Sequence, residues 1–531
     1  MEEGLVTEIW WSVVLIGVCS VLIRICHEFW LKPRRIRSTV WRQGIRGPQP
    51  SFPYGNIHEM HNIQSSIINN PSHAQPVSEN WIHSIFPYLQ QWRQQYGPVY
   101  MYSTGSKQHL YVSQPELLRE LGLHTSLDLG RPSYLAEAFQ PLLGDGIIRA
   151  NGNDWAYQRK LIAPEFFLNK VKNMLGVMEQ STIAMMKTWE NRIIESEGGV
   201  ADMIIDEDLK SLSADIISRA CFGSSFSQGN QIFAKIASLQ DILSKPSVLF
   251  GLSNFRFLPT KNNREIWRLK KEVETLVLTV VRDRQQESQK GTIPEKDLLQ
   301  MMLESAATSD DKLSHRLKAE RLIVDMCKNI YFAGHETTAL ATSWILMLLA
   351  LHPEWQERVR AEILEVCGDR FHLFQDMDAF RKLKLLKMVI QESMRLYGPS
   401  VITSREAFAD MKLGEFAVPK GVHIWCLIPA LHRDPENWGV DALEFKPERF
   451  AHGISKACKY PQAYMPFGFG SRLCLGQTFA MLQLKVVLPL ILSNFSFSLS
   501  PDYRHSPVYK MLLTPEHGVR LLVTRLQGSL G

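Results

Sequence analysis

Phe467-Gly468-Phe469-Gly470-Ser471-Arg472-Leu473-Cys474-Leu475-Gly476 decides how the rest of the chain is read. Two glycines ahead of the cysteine permit a tight loop whose amide hydrogens can point at sulfur. Gln477 to Leu488 then reads as helix. Cys474 therefore stands at a helix start, where the positive end of the backbone dipole favours a thiolate. Arg472, two residues earlier, suits a carboxylate of a bound group. A buried structural cysteine beside a glycine turn is the commoner fate of a lone cysteine. The joint spacing F-G-x-G-x-R-x-C-x-G is too restrictive for that reading.

The other cysteines, Cys19, Cys26, Cys221, Cys327, Cys367, Cys426 and Cys458, form no C-x-x-C pair. A chain of 531 residues with 45% hydrophobic residues needs no disulfide staples to bury a core. Aromatic content of 10% excludes general disorder. Lys+Arg 59 against Asp+Glu 54 gives a net charge of +5, too mild for a nucleic-acid binder. There is no Walker phosphate loop, no Rossmann glycine fingerprint and no H-E-x-x-H pair, so a directly bound nicotinamide has no support.

Ile9 to Ile23 carries no charge, and apolar residues continue it through Phe29, Trp30 and Leu31. Arg24 can snorkel and Trp10, Trp11 and Trp30 suit membrane interfaces. Glu2, Glu3 and Glu8 precede the run, whereas Lys32, Arg34, Arg35, Arg37, Arg42 and Arg46 follow it. That polarity is the reverse of a cleaved signal peptide and leaves the body in the cytosol. The expected organisation is a signal anchor at 1–31, a basic, proline-rich linker at 32–53, stiffened by Pro48, Pro50 and Pro53, and a catalytic domain at 54–531. With that topology the sequon Asn494-Phe495-Ser496 stays unmodified.

Residues 60–80 read as a loose polar loop. Long helical stretches follow, among them Lys271 to Gln289 and Arg321 to Leu351, the latter ended by His352-Pro353. Strand signals are few: Val99–Tyr102, His109–Val112, Val422–Cys426 and Val519–Val523. The fold class is mainly α with a small β subdomain, preceded by one transmembrane helix.

Within the longest helix lies Ala333-Gly334-His335-Glu336-Thr337-Thr338. Gly334 and two threonines make it locally poor helix and invite a widened turn. The bland alternative is a threonine bonding back onto its own helix. Glu392 and Arg395 stand three apart, ordinarily a solvated pair worth a few tenths of a kcal/mol, roughly. Pro447-Glu448-Arg449-Phe450 supplies a further arginine in the same half of the chain. Trp155 and Arg159 are helical neighbours, and Arg405 follows in a strand region.

Together these residues resemble the cytochrome P450 haem monooxygenases across nearly the whole chain, with the cysteine stretch matching the family's thiolate-ligand loop. The resemblance implies the P450 fold and haem b held by Cys474 as axial ligand. It places Phe467 and Gly476 in the cofactor loop, and Trp155, Arg159, Arg405 and Arg472 toward the propionates. Ala333, Gly334, Glu336 and Thr337 resemble the oxygen-activation motif, Thr337 bonding dioxygen and Glu336 relaying protons. Glu392, Arg395 and Arg449 resemble the structural cluster without which haem is not retained. His335 falls where the family motif varies, which turns it from the haem. NADPH acts indirectly, through NADPH–cytochrome P450 reductase, with cytochrome b5 as an accessory donor. The setting implied is the endoplasmic reticulum membrane, single-pass, with a cytosolic, monomeric catalytic unit.

The pattern is similar to plant microsomal members, especially the gibberellin-modifying branch (family 714), through Leu427 to Pro435 and Gly453 to Pro461. This implies an apolar terpenoid acid as substrate, a gibberellin or related diterpenoid, with pentacyclic triterpenoid acids as the alternative. An oxygen-independent isomerase or dehydratase and a non-catalytic haem binder are the readings from other classes; Glu336 and Thr337 oppose both. By the same analogy the pocket draws on Leu127–Ile147, Ser244–Pro259, Asp325–Thr338, Pro399–Ser404 and Met511–Thr514. Tyr397-Gly398-Pro399 carries glycine where the family usually has proline, which points to altered regiospecificity.

Overall fold

Ile9–Cys26, the described part of an apolar helix at the start of the sequence, is exposed along its whole length. The computed structural model describes residues 2–68, 80–223, 226–244, 258–290, 297–307, 313–368 and 377–526. Helix Glu2–Cys26 runs through a π-helical turn, His27–Leu31, into helix Lys32–Trp41. Trp10 and Trp11 are 68% and 73% exposed, values that a water-soluble surface does not sustain over a whole helix. The span is long and apolar enough to cross a membrane. The basic stretch behind it is helical for its first ten residues, Lys32–Trp41, rather than an extended connector. Pro33, Ile36 and Val40 are buried on its inner face. Gln43 then clasps the backbone of Ala417 twice, as donor at 2.9 Å and acceptor at 2.6 Å. The anchor is thus joined to the body by packing as well as by chain.

The body is mostly helical. Its central element is Leu313–Leu351, longer at its start than the apolar pattern predicts, and it ends at His352 before Pro353 as expected. It packs against Asp206–Phe222, Lys384–Tyr397 and Gln477–Asn494. Lys261–Gln289 extends the expected helix by ten residues toward its N-terminus, where Thr260 Oγ1 accepts from the Asn263 N–H. Residues 57–68 form a helix and not a loop, because Met60 on its inner face reaches the core; 69–79 lie outside the described residues.

The main sheet has five strands. Val99–Thr104 and Lys107–Val112 form a hairpin, and Val422–Leu427 lies parallel to the second. Ile402–Ala407 pairs antiparallel with Val422–Leu427, and Leu129–Gly130 completes the edge. Side chains alternate between faces. Tyr100, Tyr102 and Tyr111 join the main helical core, whereas Met101, Leu110, Val112 and Ile424 join a second core with Ile36 and Val40. The expected strand at Val519–Val523 occurs as Arg520–Arg525, between Val200–Ile204 and Phe495–Leu499. Asn494 is buried and donates to the Leu490 carbonyl at 2.8 Å, so the folded body leaves the sequon no room for a glycan.

Candidate functional site

The cysteine loop is built on left-handed glycines. Gly468 and Gly470 have φ of 75° and 66°, and a Cβ on Gly470 would press into the Gly122 carbonyl at 2.6 Å, so the loop is tied to the end of helix Pro115–Leu123. The Cys474 N–H donates to the Phe467 carbonyl at 2.9 Å, closing the turn. Gly476 caps helix Gln477–Asn494. Cys474 is enclosed by protein on most sides, yet its thiol remains accessible. Burial raises the thiol above its ordinary value, while the Gly476 N–H and the Arg159 guanidinium pull it down. The helix start therefore does not by itself win the thiolate: desolvation is the larger effect, and a cationic partner at sulfur is needed to reverse it.

Around this loop arginines converge. Arg472 donates to the Ala150 carbonyl at 2.8 Å and to Asn151 Oδ1 at 2.9 Å, and its Cζ lies 4.1 Å from the Trp155 ring centre. Arg159 donates to the Leu473 carbonyl at 3.1 Å and sits over the other part of the same ring at 5.8 Å. Trp155 thus aligns two guanidinium groups. Arg405 is buried, bonds the Ser404 carbonyl at 2.9 Å, and reaches the Phe469 carbonyl at 3.4 Å. A fourth, Arg131, was not singled out from the sequence. Its backbone exchanges hydrogen bonds with Asn151 at 2.7 and 3.0 Å, and its buried Nε has no partner.

The four arginines repel one another. Arg405 is held well below its usual range by burial, Arg131 and Arg472; Arg472 is pushed down to about 9 by burial, Arg131 and Arg159. Among the described residues no carboxylate pairs with any of them. Desolvated, mutually repelling cations with an orphaned N–H call for a ligand with anionic groups. A haem with two propionates fits this donor set.

The Glu392 cluster is complete and sealed. Glu392 and Arg395 are 0% and 1% exposed, joined by two bonds of 2.7 and 2.8 Å. Arg395 also donates to the carbonyls of His432, Ala442 and Glu444. Arg449 Nε stands 3.4 Å from Glu392, with Asp441 on its other side at 2.7 Å. The three expected members do meet, and His432, Asp441 and the Lys446 N–H complete the set. None of these last shows a spacing rule, since His432 ends the short helix Ile428–His432 and Asp441 and Lys446 come from the loop that follows Pro435–Trp438.

On the central helix the expected widened turn is absent: 331–340 is continuous α-helix. Gly334 serves a different need, because a Cβ there would meet Ile217 Cδ1 at 2.6 Å where Asp206–Phe222 crosses. Thr337 Oγ1 donates to the Ala333 carbonyl at 2.6 Å, the back-bonded state. Ala333 is exposed between buried Phe332 and half-buried Gly334. Burial raises the Glu336 carboxyl, and a hydrogen bond from Gln240 and the charge of Lys210 offset it; one of its oxygens, Oε2, has no partner. The His335 ring lies 4.5 Å from that of Phe233, tilted by 39°, and burial pushes it down to about 4.

Pocket segments expected from the sequence are knitted in pairs. Asp325 accepts from the Asp145 N–H at 2.8 Å and Asn329 from the Ile148 N–H at 2.9 Å. The Leu513 N–H donates to the Pro399 carbonyl at 2.9 Å. Ser244–Pro259 falls largely outside the described residues.

Residues 76–523 match the family model for cytochrome P450. The chain is 46% identical over 518 residues to cytochrome P450 714A2 of Arabidopsis thaliana, covering 97% of this chain and 98% of the relative. It is 47% identical over 503 residues to cytochrome P450 714C2 of Oryza sativa subsp. japonica, covering 94% of each. Cytochrome P450 714B2 of the same rice is 42% identical across 100% of this chain and 99% of the relative. The chain belongs to the cytochrome P450 family, as a monooxygenase of the plant 714 group. That family binds haem and draws electrons from NADPH through a reductase.

Proposed function

We propose that this P450 oxidises a rigid terpenoid acid, a gibberellin or related diterpenoid before a pentacyclic triterpenoid acid. It works from the endoplasmic reticulum membrane with its body in the cytosol and NADPH–cytochrome P450 reductase as electron donor, cytochrome b5 assisting. Bound haem supplies dioxygen activation and the insertion of one oxygen atom into a C–H bond or alkene. Cys474 would supply the thiolate that holds its iron. Trp155, Arg131, Arg159, Arg405 and Arg472 neutralise its propionates, and Phe467 and Gly476 shape the loop around the sulfur. Glu392, Arg395 and Arg449 hold the segments that carry this loop.

Protons reach the site through this chain's own groups. Glu336 stands between the interior and the Glu207 and Lys210 charges near the surface of helix Asp206–Phe222, with Gln240 as its hydrogen-bond partner. Burial raises its carboxyl and Oε2 has no partner, which suits it to take up and release a proton. Thr337 leaves the Ala333 carbonyl to pass that proton inward. The single observation that carries the cofactor reading is the arginine cluster with no internal counter-charge. The substrate reading is supported by the family-714 likeness and by the pairing of Pro399 with Leu513 beside Val401 and Ile402.

The test is turnover in microsomes with a plant reductase and NADPH, offering a gibberellin acid and an oleanane-type triterpenoid acid together. New oxygen on the gibberellin, located by mass spectrometry and NMR, is the expected result. Oxidation of the triterpenoid alone transfers the enzyme to that substrate class.

A further inference from the structure

A strap of chain, residues 143–151, ties the central helix to the arginine cluster. It leaves the short helix Gln140–Leu143, lies against Leu313–Leu351 and leads into helix Gly152–Ile162. Its first half rests on Asp325 and Asn329, which are 2% and 1% exposed. The Asp145 N–H donates to Asp325 at 2.8 Å and the Ile148 N–H to Asn329 Oδ1 at 2.9 Å. Asn329 Nδ2 donates to the Leu143 and Asp325 carbonyls, both at 2.7 Å. The far end of the strap rests on the cysteine loop, where Arg472 donates to the Ala150 carbonyl and to Asn151 Oδ1.

An amide with these partners can face only one way. The Ile148 N–H can only donate and the two carbonyls can only accept, so the neighbours assign the oxygen and nitrogen of Asn329. Two glycines record how closely strap and helix run. A Cβ on Gly144 would strike the Asp325 carboxylate, and one on Gly146 would strike the Asn329 amide. Gly144 also has a left-handed φ of 55°; Gly146 does not, so the approach of Asn329 is what requires glycine there. Asp325 is shared with buried Lys328 at 2.7 Å, whereas two of the three Asn329 bonds go to the strap.

The placement of this clamp gives it a bearing on the reaction. Ala333 stands one helical turn beyond Asn329 on the same face, and it is exposed although Asn329 is sealed. Ile147 and Ile148, held between the two ends of the strap, are half-buried. We infer that Asn329 is a positioning residue of this monooxygenase: by holding residues 143–148 down on the central helix, its amide fixes how much room remains beside Ala333 for the group to be oxidised. Freeing that end widens the room, while Arg131 and Arg472 keep Asn151 in place. The inference rests on the Cys474 loop being a haem site and is independent of which terpenoid is oxidised.

The experiment titrates the Soret band of the full-length, haem-loaded protein with imidazole and with 4-phenylimidazole, a small azole and a bulky one. Wild type is compared with Asn329→Leu, which removes the bonds at nearly constant volume, and with Gly146→Ala, which keeps Asn329 and pushes the strap off it. Thr342→Val removes a buried bond to the Thr338 carbonyl farther along the same helix and controls for general loosening. The expected result is about a fivefold fall in Kd for 4-phenylimidazole in both strap variants, the scale of one hydrogen bond. Imidazole binding, the ferrous–CO band and Thr342→Val should match wild type. Equal changes for both azoles, no change in either strap variant, or the same change in Thr342→Val overturns the inference. If Asn329→Leu holds no haem, Gly146→Ala decides alone. A wild type without a ferrous–CO band removes the haem reading itself, and this inference with it.

Discussion

The Nε2 atom of His432 accepts the backbone N–H of Met465 at 3.0 Å. Its other nitrogen, Nδ1, meets the Arg395 carbonyl at 3.0 Å, so the imidazole is neutral with its proton on Nδ1. One side chain thereby couples the buried Glu392–Arg395 pair to the segment that runs into the cysteine loop, two residues before Phe467. This ring ties the cluster to the segment just ahead of the cysteine loop.

Arg395→Lys is therefore expected to lose haem although charge is conserved. Lysine cannot give Glu392 two parallel bonds and still supply the His432, Ala442 and Glu444 carbonyls. Breaking one partner of such a pair costs about 3–5 kcal/mol. The ferrous–CO band per milligram of purified protein reads this out; a normal band with a normal Tm would remove the proposed role.

Acid should unfold the enzyme early. Burial pushes His423 and His432 down to about 3 and His335 and His505 down to about 4. The unfolded chain takes up these protons near pH 6.5, the folded one only near 3–4. Stability is thus full above pH 6.5 and falls as pH drops toward 4, by about 1.4 kcal/mol per pH unit for each such histidine. Melting curves at pH 7.5 and 5.5 check this. His335→Phe keeps an aromatic ring beside Phe233 and should flatten the pH dependence; an unchanged slope counts against it.

Arg131→Gln is expected to weaken haem retention roughly tenfold, as for loss of one charge-assisted bond. The measure is the rate of haem transfer to excess apomyoglobin. A rate equal to wild type would show that Arg131 only braces Asn151.

Lys328 is fully buried between Asp325 at 2.7 Å and Glu274 at 3.4 Å. Asp325→Ala leaves the ammonium with only the more distant Glu274 and frees the Asp145 N–H, so a loss of about 2–4 kcal/mol is expected. Asp325→Ala with Lys328→Met should recover a large part of it. If the double variant is no more stable than the single one, the carboxylate acts through the Asp145 loop instead.

Gly398 has φ of −59°, which proline can adopt, yet a Cβ there would sit 2.6 Å from the Met394 carbonyl. Gly398→Pro should therefore move the turn before Val401 and change the ratio of oxidised products. An identical product profile would show that this departure from the family pattern has no bearing on regiospecificity.

Sequence alone determined what local spacing can encode. The glycines and cysteine of 467–476, the Glu392–Arg395 step and the apolar run behind Trp10 each carry their meaning within a few residues. So does the His352-Pro353 break, because backbone sterics and helix periodicity act at that range. Tertiary structure alone decided what depends on two distant segments meeting. It brought Arg131 to Arg472 through Asn151, and Ile217 to Gly334, which turned an expected distortion into a close helix crossing. It also laid helix Lys32–Trp41 on the body. Those outcomes come from burial, which is a property of the folded whole: the same arginine, histidine or tryptophan is unremarked in the chain and becomes informative only when desolvated without a partner.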